Sequence, residues 1–332
     1  MRWIPVVALT CMVCLAGTMV LAQPARADDA PLSIRNTDPL AGLFGLPRPR
    51  GGRVLASGSE WVFGTDYGNS FSSSRQGNTE VFLDVETAVL AVQTRRALAD
   101  GWEWGAEVPY LVHRDSDLDS FIDEFHQFFG LPEGGRDMAP TGRLDVLVRV
   151  DNEVFVDFDD TERGIGDVRL WLGRSLYDAG RRSGALRASL KLPTGSADKL
   201  TGSEATDVAL WWEHDEQAVA GLDRLGLSLM VGGAYLGEGD IAPRAQNRWV
   251  PVGSLGLRFR LWDRVTLKLQ ADAHGAPWDA DVGELADHGL QGTIGGRVRI
   301  SDRLWLDLGV VENLESRSSP DAVFLLQLGG RW

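Results

Sequence analysis

The chain has 332 residues, with 33 Lys and Arg against 47 Asp and Glu, a formal net charge of -14. That surplus of carboxylates excludes a protein built to grip nucleic-acid phosphates, which needs clustered cations. Both cysteines, Cys11 and Cys14, lie at the extreme N-terminus, so no disulfide framework staples the remainder.

Residues 1–27 read as a secretory signal peptide. Arg2 is followed by an apolar run from Ile4 to Leu21 and a small-x-small close at Ala25-Arg26-Ala27, predicting cleavage before Asp28 and Sec-type export. Thr10 and Val13 precede the cysteines where a lipoprotein signal needs a small residue. After residue 27 no stretch reaches the roughly 18 apolar residues of a spanning helix. The nearest, "AVAGLDRLGLSLMVGGAYLG", is broken by Asp223 and Arg224. The other structure that satisfies its backbone in lipid is a closed β-barrel.

Residues 28–50 carry Pro31, Pro39, Pro47 and Pro49 and no strand pattern. The apolar "LAGLFGLP" favours burial, so this segment is expected on the periplasmic side or threaded into a lumen as a plug. Residues 51–332 are assigned to an all-β, antiparallel transmembrane barrel.

The evidence for that is a period of two. A first, weakly patterned strand lies near "GRVLASGSEWVFG", followed by "TEVFLDVETAVLAVQ". In "WEWGAEVPYLVH" the face Trp102, Trp104, Ala106, Val108, Tyr110 opposes Glu103 and Glu107. "GDVRLWLGRSL", "ALRASLKLP", "ATDVALWWEH" and "LGLSLMVGGAYLG" follow the same rule. In "WVPVGSLGLRFRLW", Leu255, Leu257 and Phe259 oppose Arg258 and Arg260. "VTLKLQADAH", "LQGTIGGRVRIS", "LWLDLGVV" and "FLLQLGGRW" complete twelve predicted strands. Connections after even strands are tight ("LADG", "DAGRRSG", "AGLDR", "DR", "SDR"). Those after odd strands are longer, beginning with "YGNSFSSSRQGN". This asymmetry marks a bacterial outer-membrane barrel more than a soluble sandwich or jelly roll.

One odd connection, residues 114–163, is very long. "DLDSFIDEFHQFFGLP" sets Phe121, Phe125, Phe128 and Phe129 at helical spacing around His126, ending at Gly130 and Pro132. Such an amphipathic helix acts as a lid, rests on the outer leaflet, or packs on neighbouring loops, the plainest of the three. Beyond it, "RLDVLVRVDNEVFVDFDD" predicts a hairpin turning at Asp151-Asn152 outside the membrane.

The chain closes with Phe324, Leu326, Leu328 and Trp332 on one face. This ending resembles the signal read by the barrel-assembly machinery, whose terminal aromatic anchors at the interface belt. "RNTDPLAGLFGLPRPR", "LDSFIDEFHQFFGLPEGGR" and "GIGDVRLWLG" with "ALRASLKLPTGS" resemble an uncharacterised family of bacterial outer-membrane proteins, known only as a domain of unknown function. The pair "GxGD…LKLPTG" is also similar to outer-membrane channels associated with aromatic-compound degradation. The resemblance spans most of the mature chain and implies fold and compartment. It transfers no catalytic residue.

Inward positions then carry the functional reading. Glu103 and Glu107 oppose Arg187, Lys191, Arg258, Arg260, Lys268, Arg297 and Arg299, which either order a transverse field across a pore or pair across a sealed lumen. An outer-membrane enzyme is the rival class. Its best evidence is His126 beside Asp123 and Glu124, or His113 beside Asp115, with no G-x-S-x-G elbow and no metal-ligand spacing. An adhesive or structural surface protein is a third. The expectation is a monomeric channel for an unidentified small solute, without cofactor, metal or nucleic acid, contacting outer-membrane lipid and lipopolysaccharide.

Overall fold

A computed structural model describes residues 30–115, 143–279, 283–314 and 319–332. The signal segment and the loop-helix residues Phe121, Phe125, His126, Phe128 and Phe129 lie outside these. The strands are β1 Ser59–Gln76, β2 Thr79–Ala97, β3 Trp102–Arg114, β4 Asp145–Val150, β5 Glu153–Phe158, β6 Glu162–Ile165, β7 Arg169–Asp178, β8 Arg182–Lys191, β9 Asp207–Gln217, β10 Leu225–Tyr235, β11 Trp249–Trp262, β12 Val265–His274, β13 Gly289–Arg299, β14 Leu304–Asn313 and β15 Ala322–Arg331.

Twelve of them form a closed antiparallel barrel. β1 pairs with both β2 and β15, β2 with β3, β3 with β7, and β7 through β15 follow in sequence order. Closure removes every sheet edge at the level of the bilayer, which lipid demands. The alternation of sequence becomes two chemistries. Leu255, Leu257, Leu267, Leu269, Ile294 and Leu326 point outward and are exposed, while Ser254, Arg258, Lys268, Gln270, Thr293 and Gln327 on the intervening positions are buried inside. No described helix is long and apolar enough to cross a membrane. A charge on the outward face is therefore costly. Leu269→Arg is expected to destabilise the folded barrel by about 2–4 kcal/mol, the range for a cation at the bilayer midplane. Urea unfolding in lipid vesicles measures it, and an effect near zero would place β12 away from the acyl chains.

Three features depart from the expected plan. β1 starts at Ser59, so residues 51–58 belong to the preceding segment. "YGNSFSSSRQGN" is not a loop: β1 and β2 run 18 and 19 residues and turn only at Gly77-Asn78. A transmembrane strand needs only about 9–11 residues, so nearly half of this hairpin stands beyond the bilayer. There the outward side meets water, its apolar marker disappears, and Ser72 and Ser74 pair with Leu83 and Val81. Third, the outer half of β2 pairs with β4 instead of β3.

β4 and β5 form the hairpin predicted at Asp151-Asn152, whose φ values of 53 and 67 are those of a two-residue hairpin turn. Val81, Leu83 and Val85 of β2 and Val146, Val148 and Val156 of the hairpin are buried with Leu200, Leu236, Ile241 and Trp278 from other long loops. These residues make an apolar crown over the long-loop end of the barrel.

Candidate functional site

The interior of the barrel is occupied by its own N-terminal segment. Residues 30–37 run up the wall formed by β12, β15 and β1. The Lys268 ammonium donates to the Ala30 carbonyl at 2.7 Å, the Leu32 amide to Gln270 Oε1 at 3.0 Å, and Gln327 Nε2 to the Ser33 carbonyl at 3.1 Å. The chain reverses over residues 38–44, where Asp38 Oδ1 accepts the Leu40 and Ala41 amides at 2.9 Å each. Leu40, Leu43 and Phe44 at the bend pack into the crown, with Phe44 edge-on to Trp278 at 4.8 Å.

The descending limb, residues 45–58, is held by inward carboxylates that accept backbone N–H groups. Asp207 takes Gly45 at 2.7 Å, Glu213 takes Arg50 and Gly51 at 2.5 and 2.8 Å, Asp215 takes Gly52 at 2.7 Å, and Glu103 takes Leu55 at 2.8 Å. Two glycines permit this approach. Gly51 has φ +88, and a Cβ at Gly52 would lie 2.7 Å from the Asp215 amide nitrogen.

Ion pairs tie hairpin to wall and wall to wall. Glu107 of β3 binds Arg35 of one limb at 2.7 Å and Arg48 of the other, and all three side chains are at least nine-tenths buried. Arg187 bridges Glu103 at 3.0 Å and Glu213 while donating to the Gly51 and Arg53 carbonyls. Lys191 binds Asp167 at 2.5 Å, Asp207 at 3.3 Å and the Leu43 carbonyl. Toward the short-turn end, Arg331, Glu60, Arg95 and Glu103 form a chain, and Asp307 takes Arg297 at 2.6 Å and Lys268 at 3.5 Å. In a low-dielectric interior such charges persist only when paired.

The predicted inward residues thus separate. Glu103, Glu107, Arg187, Lys191, Arg258, Lys268 and Arg297 are buried, and Arg258 meets Asp215 at 3.1 Å. Arg260 and Arg299 sit at the short-turn rim, where their guanidiniums donate to the Asp223 and Asp263 carbonyls. The alternating pattern continues to those two positions, beside the short turns.

Sequence reasoning missed Arg35, Arg48, Arg50 and Arg169. Arg50 lies over the Trp171 ring at 3.5 Å, and Arg169 donates to the Phe44 and Leu46 carbonyls. The available signal was "RPRGGR", a basic string in an acidic chain, facing Asp207, Glu213 and Asp215 at alternate positions of one strand. The histidines are engaged individually. His113 meets Thr87 at 2.9 Å and the Leu200 carbonyl at 3.1 Å, His214 meets Tyr177, and His274 meets Asn36. Among the described residues no group of His, Cys, Asp and Glu is placed to hold a metal ion.

Cavities of about 50 and 20 Å³ flank the hairpin. The larger hollow, about 600 Å³, is on the outer wall among Phe63, Leu90, Val108 and Leu328, facing where acyl chains lie.

Residues 5–332 match the family described as a protein of unknown function, DUF3187. The chain belongs to that family. No curated protein matches it. Among solved structures, a COG4313 outer-membrane channel from Pseudomonas putida F1 aligns over 86% of this chain and 100% of its own, at 12% identity and TM-score 0.55. The NanC porin aligns over 82% of this chain and 98% of its own (7% identity, TM-score 0.45). The P. putida toluene transporter TodX aligns over 84% and 91% (10%, 0.40). The first of these likenesses shows a shared barrel fold.

Proposed function

We propose that this DUF3187 chain is a bacterial outer-membrane channel for a small solute, closed in the described conformation by its own N-terminal hairpin. In this reading residues 1–27 are removed on export, the short turns face the periplasm and the crown faces outward. The C-terminal strand with Trp332 recruits the assembly machinery, and the monomer contacts lipid and lipopolysaccharide.

One observation supports it above the others. The lumen is not sealed by side chains of its own wall, as in narrow barrels. It holds two extended limbs of a separate segment, attached by hydrogen bonds and ion pairs that water can replace. An interior wide enough for two polypeptide strands is a conduit once they leave.

Deleting residues 30–50 tests this. The refolded variant is expected to give steady ohmic steps in planar bilayers where the intact chain is mostly silent. A variant that folds, shown by heat-modifiable gel migration, yet stays silent overturns the reading.

A further inference from the structure

Both limbs of the hairpin contribute to one enclosed space. Between them and the wall lies the cavity of about 50 Å³, space for roughly three to five water-sized occupants at roughly 10–15 Å³ each. Its lining is unusually cationic. Arg35 reaches it from the ascending limb, Arg48 from the descending limb and Arg169 from β7, against one carboxylate, Asp272. That carboxylate is engaged by Gln270 Nε2 at 2.9 and 3.1 Å. His274 adds no charge in the tautomer that donates Nδ1–H to the Gly275 carbonyl and accepts the Asn36 amide at Nε2.

The carboxylates that do answer these arginines, Glu107 and Asp66, are not in the lining. Glu107 is shared by Arg35 and Arg48, and Asp66 stands 3.5 Å from Arg35 Nε. Both terminal nitrogens of Arg169 are spent on backbone carbonyls. Two buried donors, Arg169 Nε and Gln291 Nε2, are left without a hydrogen-bond acceptor, and Arg35 Nε has only the long contact to Asp66. Arg35 and Gln291 are only 6% and 3% exposed. A buried donor without an acceptor costs about 1–3 kcal/mol, more when charged. Three cationic side chains and an amide from four separate elements line a space of this size against one lining carboxylate, the composition of an anion site.

We infer that the cavity binds one small monovalent anion, a carboxylate or halide, between Arg35, Arg48, Arg169 and Gln291. The bound anion cross-links both limbs to β7 and β13 and holds the hairpin in the lumen. This site is a property of the filled barrel, and it stands whether or not the emptied barrel conducts.

The test uses crystals of the refolded mature chain soaked in sodium bromide, with anomalous data at the bromine edge. One bromide peak is expected between Arg35, Arg48 and Arg169. Adding formate to the soak should remove it if carboxylates share the site, and its persistence would restrict the class to halides. Arg169→Gln should abolish the peak. Should that variant fail to fold, Gln291→Leu, which changes no charge, should lower the bromide occupancy at least several-fold. A wild-type cavity holding only water, or an equal peak in Arg169→Gln, overturns the assignment.

Discussion

Arg187→Met is expected to destabilise the folded barrel by about 3–5 kcal/mol, the cost of removing one partner from a buried ion pair. Arg187 is fully enclosed and bridges Glu103 of β3 to Glu213 of β9, while two of its nitrogens hold carbonyls of the descending limb. Methionine roughly fills the volume but leaves Glu213 without its ion pair and Glu103 with only Arg95 at 3.4 Å. Exposed pairs offer the control. Arg182 meets Glu216 at 2.8 Å in the open, and Arg182→Ala should shift the urea midpoint far less than Arg187→Met does. Urea midpoints followed by tryptophan emission compare the two. Equal losses would mean that the interior network is as solvated as the rim.

The second large effect is functional. Glu107→Gln removes the single carboxylate that binds one arginine from each limb, leaving Arg35 with Asp66 and Arg48 with no carboxylate hydrogen bond. The strain falls on the hairpin rather than on the ladder between β3 and its neighbours, whose backbone bonds are unchanged. Weakening the docked state by about 3 kcal/mol raises the ratio of open to closed barrel by roughly 100-fold, at 1.4 kcal/mol per factor of ten. Bilayer recordings should show frequent openings with the unit conductance of the 30–50 deletion. Gel migration should stay that of an intact barrel. Openings no more frequent than in the parent chain would mean that Glu107 is not what keeps the hairpin docked.

The barrel was legible because lipid imposes a strict rule on every second residue. Leu255, Leu257, Leu267, Leu269, Leu304, Leu306 and Leu308 had to alternate, and tight turns such as Asp263-Arg264 fixed the ends. The rule fails where lipid stops. Ser72 and Ser74 are as much strand as Leu267, yet water on one side and a crown on the other leave no period to read. The site was legible by half. Alternation identified Glu103, Glu107, Arg187 and Lys191 as inward, but it cannot say what they face. Their partners, Arg35, Arg48 and the amides of residues 50–55, lie in a segment with no period, and only the folded chain brings positions 35 and 107 together. Arg260 and Arg299 continue the alternation to the short-turn rim, and alternation has no marker for the level at which a lumen ends.

The hairpin opens toward one end of the barrel. Ala30, beside Lys268 and Gly51, and Ser59, where β1 begins, both lie toward the short-turn end, with the bend at Leu40–Phe44 far above them. A doubled chain of this kind slides in or out without threading a free end through a closed ring. A tug on the N-terminal side peels its bonds one after another, beginning at Lys268 and Gln270, instead of shearing both limbs together. A load from the short-turn end thus meets these bonds singly, while one from the long-loop end meets the crown first.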